Sequence, residues 1–179
     1  RCVEARDRIS AAGGRRVPLL LKIAPDMDEA GLEDVAAEAL DKRIDGLIVT
    51  NTTLSRAGLT DPGGREAGGL SGRPLFRRST VVLARMRRLV GREMVLVGVG
   101  GIESGETAYA KIAAGADLLQ LYSGLVYEGP GLVRRIKTEL AVDLPHPRHY
   151  RVKTSPEFMD LKARLTEEIR AESLAADLH

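Results

Sequence analysis

Polar and glycine residues follow four apolar segments of the sequence, and their types suit a charged or planar ligand. Lys22 lies near the end of the first apolar segment, and residues 51–53 (NTT) follow the second. Residues 98–101 (GVGG) follow the third, and Tyr122 with Ser123 follows the fourth. In parallel α/β folds the ligand lies at the carboxyl ends of the strands. These four positions therefore predict one binding site.

The glycines after the third segment indicate a site for an anion. Gly98 to Gly101 lies between a predicted strand and a predicted helix, so backbone N–H groups and the helix N-terminus could face an anion. Tyr122 and Ser123 add N–H groups and a hydroxyl in the neighbouring loop. Loops after the last two strands of a (β/α)8 barrel often bind phosphate. Phosphate binding is therefore favoured over the alternative that these glycines only form tight turns.

Lys22 and the segment Asn51 to Thr53 are the candidates for contacts with the rest of the ligand. A lysine inside an apolar strand is costly to bury without an anionic partner, although strand alternation could instead direct it to solvent. Asn51, Thr52 and Thr53 offer short donors and acceptors that suit a planar ligand with carbonyl and carboxylate groups. A simple turn role for Asn51 is almost equally well supported.

The elements that must position these residues are four strands, each followed by a helix. The strands are predicted at residues 18–23, 45–50, 94–97 and 117–122, and the helices at 26–42, 80–90, 104–115 and 129–140. A long stretch, residues 51–79, joins the second strand to its helix. This order predicts a parallel sheet covered by helices, and periodicity alone does not distinguish a closed barrel from an open, doubly wound sheet.

Composition narrows the class of protein. The chain has 179 residues, of which 44% are hydrophobic and 29% charged, as in a soluble globular protein. A (β/α)8 barrel usually needs roughly 250 residues, so the chain is shorter than a complete barrel of this kind. Because 27 basic residues are interleaved with 25 acidic ones, the net charge of +2 does not favour nucleic-acid binding.

Cys2 has no partner for a disulfide or a metal site and is interpreted as an incidental thiol. The basic clusters on predicted outer helices are interpreted as solvated faces: Arg85, Arg87, Arg88 and Arg92, then Arg134, Arg135 and Lys137.

Five motifs, in order and at family spacing, resemble the class 2, quinone-linked dihydroorotate dehydrogenases. They are residues 22–26 (KIAPD), 50–53 (TNTT), 68–75 (GGLSGRPL), 98–105 (GVGGIESG) and 120–124 (QLYSG). The resemblance covers about residues 10 to 140 and favours class 2 over the soluble class 1 enzymes. It implies that residues 1–141 are the carboxy-terminal half of an FMN-binding (β/α)8 barrel, with about four β/α units.

The resemblance also implies a role for individual residues. Lys22 would face the flavin ring, and Asn51 and Thr52 would bind the substrate. The implied contacts with FMN are made by Lys22, Thr50, Gly72, Gly100, Gly101, Tyr122 and Ser123. No metal site is implied. The catalytic base, a serine in class 2, is expected in the other half of the barrel, so no residue here is assigned as the base.

The activity implied is the oxidation of dihydroorotate to orotate in pyrimidine biosynthesis, with a membrane quinone as electron acceptor. The full-length family enzyme is expected at the cytoplasmic side of the inner membrane, as a peripheral protein. It would reach the membrane through an amino-terminal helical segment that is expected to lie outside this chain. The chain itself is expected to be soluble.

The residues after 141 and the competing functions remain open at the level of sequence. Residues 142–154 are predicted to form a linker, and residues 155–179 an amphipathic helix that packs on the body or on a partner chain. One alternative function is a non-catalytic half-barrel that self-associates, as a homo-oligomer, and binds a phosphate-bearing ligand. Another is a phosphate-binding barrel enzyme of the isomerase or IMP-dehydrogenase kind. Lys22 followed by Pro25, together with Asn51 to Thr53, counts against the latter.

Overall fold

The sheet at the centre of the protein has four parallel strands in sequence order. A computed structural model describes residues 1–61, 64 and 66–139. The strands are β1 Leu20–Ile23, β2 Gly46–Val49, β3 Val95–Val99 and β4 Leu118–Gln120. Lys22 pairs with Ile48, Ile48 with Val97, and Val97 with Leu118. Sequential parallel pairing is the arrangement that consecutive β/α units produce.

Helices follow each strand. The six described α-helices are α1 Cys2–Ala11, α2 Glu29–Asp41, α3 Phe76–Val90, α4 Gly105–Ala113, α5 Ser123–Glu128 and α6 Leu132–Glu139. A single 3₁₀ turn, Arg73–Leu75, precedes α3. The Asp28 side chain accepts a hydrogen bond from the Gly31 N–H and is the N-cap of α2. At α4 the Ser104 and Thr107 side chains form a capping box.

The helices cover one face of the sheet and leave the other open. Strand residues Ile23, Leu47, Val49 and Leu96 are buried in one cluster with Leu32, Ala36 and Ala39 of α2 and Val82, Leu83, Met86 and Val90 of α3. On the opposite face Val95 is 38% exposed and Leu118 is 57% exposed. Coverage of one face is the arrangement of a (β/α)8 barrel segment and not of an open, doubly wound sheet. The predicted fold, four β/α units of a barrel, is confirmed.

Helix α3 begins four residues earlier than the sequence predicts, at Phe76 and not at Thr80. Serine and threonine usually disfavour a helix because their hydroxyls compete for backbone groups. Here the Thr80 hydroxyl donates to the Phe76 carbonyl at 2.6 Å, and the Ser79 hydroxyl donates to the Leu75 carbonyl at 2.9 Å. Both hydroxyls thus donate to backbone carbonyls one helical turn earlier in the chain, and the helix includes both residues. Helices α1 and α5 were not predicted at all.

Strand β3 is longer than predicted and includes Gly98. A Cβ atom at Gly98 would lie 3.0 Å from the Ala116 Cβ and 3.2 Å from side-chain atoms of Leu83 and Lys111. Gly98 therefore allows the helices to approach the sheet closely. The prediction that Gly98 belongs to the anion-binding loop is wrong, and the loop is confined to Gly100 and Gly101.

Arg87 joins three elements and is not a residue of a solvated face. Its guanidinium donates to the carbonyls of Gly115, Gly91 and Met94, and it forms an ion pair with Asp117. Asp117 also accepts a hydrogen bond from the Leu96 N–H at 2.9 Å. The Arg87 side chain is 17% exposed. Arg85, on the same helix, differs from Arg87 because it lies near the surface and pairs with Glu29.

Helix α1 contacts the rest of the protein through charge. It has no buried residue. The Arg6 guanidinium lies 2.7 Å from one Asp45 carboxylate oxygen, and Arg16 lies 2.6 Å from the other. The Leu19 N–H also donates to Asp45, and this hydrogen bond is the largest influence that lowers the pKa of the carboxyl group, assisted by Arg16 and Arg6 against the effect of burial. We refer to Arg6, Arg16 and Asp45 as the amino-end cluster.

The predictions for the end of the chain lie outside the described residues. These are the linker at residues 142–154 and the helix at residues 155–179. None of the described helices combines the length and the apolar character that are needed to cross a membrane.

Candidate active site

A cleft of about 180 Å³ lies at the carboxyl ends of the four strands. The structure brings all nine residues that were predicted as site residues to its walls. They are Lys22, Thr50, Asn51, Thr52, Gly72, Gly100, Gly101, Tyr122 and Ser123. The residues come from the end of β1 and from the segments after β2, β3 and β4, as expected for ligand sites in parallel α/β folds. Their individual roles stay predictions.

Lys22 reaches the cleft from the uncovered face of the sheet. Its side chain is exposed, which is the orientation that strand alternation left open in the sequence. The alternation of β1 places Ile23 toward the helices and Lys22 on the opposite face. Among the described residues, no hydrogen bond or ion pair involves the Lys22 amine. This amine is free to contact a ligand.

The segment after β2 places three polar side chains in different environments. Thr50 is buried, and its hydroxyl donates to the Asn51 carbonyl at 2.8 Å. The Asn51 side-chain oxygen accepts from the Thr52 N–H at 2.9 Å, so the turn role is present. The Asn51 side-chain NH₂ remains as a donor for a ligand.

Thr53 supports the site and does not line it. It is buried, and its hydroxyl donates to Asp26, which also accepts from the Leu54 N–H at 2.8 Å and contacts Arg78 at 3.2 Å. Burial raises the pKa of the Asp26 carboxyl, but the hydrogen bonds from Thr53 and Leu54 and the charge of Arg78 outweigh it, so the pKa is lowered. Asp26 therefore stays ionised and holds the start of the long loop against the segment after β1.

The long loop returns to the cleft through a short backbone pairing. Thr53 and Leu70 exchange two backbone hydrogen bonds, of 3.1 and 2.7 Å. A Cβ atom at Gly69 would lie 1.9 Å from the Thr52 hydroxyl oxygen, so only glycine allows this approach. The Ser123 hydroxyl donates to the Ser71 hydroxyl at 2.9 Å and thus links the loop to the end of β4.

Gly100 and Gly101 form the turn at the end of β3, with φ angles of 102° and 70°. We call these two residues the glycine turn. L-residues with side chains rarely adopt positive φ. A Cβ atom at Gly101 would lie 2.4 Å from the Phe76 Cβ. Across the cleft Tyr122 is 80% exposed, so its contribution to an anion site would come from its backbone N–H.

The sequence interpretation missed residues behind the glycine turn. Lys111 is fully buried on α4, and its amine donates to the buried Ser79 hydroxyl. The helical spacing of the buried residues Gly105, Ala108 and Lys111 is the signal that could have placed Lys111 inside the protein. Within the described residues, no group of three or more His, Cys, Asp or Glu side chains is close enough to hold a metal ion.

Comparisons with known proteins agree with this geometry. The family model described as dihydroorotate dehydrogenase matches residues 2–144. The chain belongs to the dihydroorotate dehydrogenase family. A relative from Rhizobium leguminosarum bv. trifolii, named dihydroorotate dehydrogenase (quinone), is 64% identical over 129 residues, which is 72% of this chain and 36% of the relative. A Rhizobium rhizogenes relative of the same name is 58% identical over 145 residues, 80% of this chain and 40% of the relative. The resemblance to the quinone-linked class is confirmed.

Solved structures of this dihydroorotate dehydrogenase family share the fold. The ligand-free Eimeria tenella enzyme matches with a TM-score of 0.68 and 43% identity, over 71% of this chain and 36% of that chain. The same enzyme in complex with ferulenol gives the same TM-score and identity. The chain spans about two fifths of the length of the curated relatives that it matches.

Proposed function

We propose that this chain supplies the flavin-binding and orotate-binding part of an FMN-dependent dihydroorotate dehydrogenase. The enzyme would oxidise dihydroorotate to orotate in pyrimidine biosynthesis and pass the electrons to a quinone. The observation that carries the proposal is the convergence of nine site residues, from four consecutive strand ends, on one cleft. Membership of the dihydroorotate dehydrogenase family supports the same reaction. By the same resemblance, the whole enzyme would lie at the cytoplasmic side of the inner membrane as a peripheral protein.

The phosphate of FMN fits the glycine turn and the start of α5. Gly100 and Gly101 have no room for a side chain, because a Cβ atom on either residue would clash with Ser79 or Phe76 behind the turn. The backbone N–H groups of Tyr122 and Ser123 would add donors to the phosphate oxygens, and the Ser123 hydroxyl would join them by exchanging its hydrogen bond to Ser71 for one to the phosphate. Donors without a nearby carboxylate are the chemistry that a phosphate dianion requires.

The flavin ring fits between Lys22, Thr50 and Gly72. FMN supplies the acceptor for the electrons of dihydroorotate and the donor to the quinone. Lys22 presents an amine with no described protein partner, so its charge would favour electron density at the ring. Gly72 leaves room at the wall of the cleft, since a Cβ atom there would meet only the Ser123 Cβ, at 3.7 Å.

Asn51 and Thr52 would orient the substrate. The Asn51 NH₂ can donate to a carboxylate or ring carbonyl while its side-chain oxygen is held by the Thr52 N–H. The Thr52 hydroxyl can both donate and accept. Their place beside Lys22 and Thr50 in one cleft would hold the substrate against the flavin. The base that removes the substrate proton is expected in the other part of the barrel, and no residue of this chain is assigned to it.

A second candidate function is a self-associating half-barrel that binds a phosphate-bearing ligand without catalysis. The exposed inner face of the sheet favours it, because Leu118 and Val95 are apolar strand residues with large exposed areas. Such a face usually contacts another protein surface.

One experiment separates the two functions. The purified chain is titrated with FMN, and quenching of flavin fluorescence measures binding. The chain is then combined with the part of the Rhizobium leguminosarum relative that it does not match, and orotate formation is followed with a quinone as acceptor. We expect flavin binding and turnover by the pair. Self-association with FMN binding but no turnover would instead support the second function, and absence of both flavin binding and turnover would refute the enzyme proposal.

A further inference from the structure

Lys111 is a buried amine behind the candidate phosphate site, on helix α4. Its side chain has an exposed fraction of 0%. Lysine is almost never fully buried unless it is paired. Yet no ion pair of the described residues includes Lys111, and burial lowers the pKa of its amine to about 7. The amine therefore has no protein carboxylate to neutralise its charge within the described part of the chain.

The described polar contacts of the Lys111 amine are with the first turn of α3. Its amine donates to the Ser79 hydroxyl at 2.5 Å and to the Phe76 carbonyl at 3.4 Å. The same amine lies 5.1 Å from the centroid of the Phe76 ring, within the range of a cation–π interaction. Lys111 thus fixes two neighbouring side chains at once.

Ser79 and Phe76 are also the residues on which the glycine turn packs. The Ser79 hydroxyl oxygen lies 3.4 Å from the Gly100 carbonyl oxygen, and a Cβ atom at Gly100 would lie 2.7 Å from it. A Cβ atom at Gly101 would clash with Phe76 at 2.4 Å. Ser79 and Phe76 therefore contact Lys111 on one side and the glycine turn on the other.

We propose that Lys111 is a positioning residue of the phosphate site, an inference that rests on the function proposed above. Through Ser79 and Phe76 it holds the glycine turn so that the turn's backbone faces the anion. Its amine also places positive charge behind the turn. Because the surroundings are apolar and contain no described carboxylate partner, this charge is weakly screened and acts on the anion in the cleft. Lys111 does not touch the ligand.

The test compares a flavin with phosphate and a flavin without it. Lys111→Met keeps the length and apolar character of the side chain and removes the amine. The dissociation constants of FMN and of riboflavin are measured on the full chain by fluorescence quenching. We expect the FMN constant to rise about tenfold, as for the loss of one charge-assisted interaction, and the riboflavin constant to change less than about twofold.

Two further variants make the test decisive. Lys137→Met removes an exposed lysine of α6, outside the cleft, and is expected to leave both constants unchanged. Ser79→Ala keeps the buried amine but removes its link to the glycine turn, and it is expected to weaken FMN and not riboflavin. If Lys111→Met does not fold, as judged by circular dichroism, Ser79→Ala decides.

The outcomes distinguish this inference from the proposed function. Equal weakening of FMN and riboflavin, or no change in FMN affinity, would overturn the role of Lys111 while the proposed function stands. If the unsubstituted chain binds neither flavin, the proposed function fails and the inference fails with it.

Discussion

Two lysines without a described carboxylate partner lie on opposite sides of the cleft wall. Lys22 presents its amine to the cleft, whereas Lys111 lies behind the glycine turn and is screened from water. The exposed Lys22 amine can contact a ligand directly. Burial lowers the pKa of the Lys111 amine to about 7, so this amine gains or loses its charge near neutral pH. The two residues therefore call for different measurements.

For Lys22 the measurement is the reduction potential of bound flavin. Lys22→Met removes the charge beside the ring and keeps the apolar part of the side chain. We expect reduced FMN to lose about tenfold more affinity than oxidised FMN, which lowers the two-electron potential by about 30 mV. A redox titration of the flavin-bound protein against a dye reports the shift. Lys42→Met, at the exposed end of α2, is the control. A lower melting temperature with an unchanged potential would show that Lys22 is structural.

For Lys111 the measurement is the pH dependence of stability. Because burial lowers the amine's pKa from 10.5 to about 7, the unfolded state binds more protons between these values. The free energy of unfolding of the unsubstituted protein thus rises from pH 7 to pH 10.5 through this group. We expect Lys111→Met to remove this rise, of about 5 kcal/mol, in urea unfolding at several pH values. Parallel profiles for the two proteins would contradict the assigned burial of a titrating amine.

At the scale of elements, Arg87 connects α3 to the ends of β3 and β4. Arg87→Met removes its bonds to three carbonyls and to Asp117, while Asp117 keeps its hydrogen bond from the Leu96 N–H. We expect a loss of about 3 kcal/mol in the free energy of unfolding, measured by urea denaturation. Arg88→Met changes an exposed neighbour on the same helix and should cost less than about 0.5 kcal/mol. Equal effects of the two substitutions would refute the connecting role.

The elements also show what the sequence could and could not predict. The four strands were predictable because continuous apolar runs require burial. Helix α1 escaped prediction because it has no buried face, and α3 began early because the Ser79 and Thr80 hydroxyls found backbone acceptors within the helix.

The site residues follow the same logic. Their place at the strand ends was predictable from the parallel fold, and all nine line the cleft. The exposure of Lys22 was not predictable from the sequence, because it depends on which face of β1 the helices cover. Thr53 was grouped with the ligand-facing residues because its hydrogen bond to Asp26 joins residues that are distant in the sequence. Such a bond produces no local sequence pattern.

At the scale of the whole molecule, the inner face of the sheet exposes apolar residues and is not covered by the described helices. Leu118, a strand residue, is 57% exposed, and among the described strands β1 and β4 each pair on one side only. Unpaired strand edges and apolar strand faces promote association. The chain spans about two fifths of its curated relatives, and further β/α units are expected to cover this face in the family fold.

The association of the chain alone tests this interpretation. We expect oligomers in analytical ultracentrifugation, and Leu118→Glu should shift them toward the monomer by placing a charge on the inner face. Val133→Glu places the same charge on α6, at an apolar residue that is also exposed, and should leave the distribution unchanged. If both substitutions act equally, net charge and not the inner face controls association.

The amino-end cluster gives the two ends of the sheet opposite responses to salt. Helix α1 has no buried residue, and the segment that follows it is held by the ion pair from Arg16 to Asp45, whose Arg16 side chain is 52% exposed, so dissolved ions screen this pair. At the other end, the long loop is joined to the segment after β2 by the Thr53–Leu70 backbone pairing, which salt does not weaken. We expect trypsin to cut at Arg15 or Arg16 and to release α1 faster in about 1 M sodium chloride, where screening acts within roughly 3 Å, while flavin binding persists. Salt-independent cleavage would show that α1 is held by other contacts.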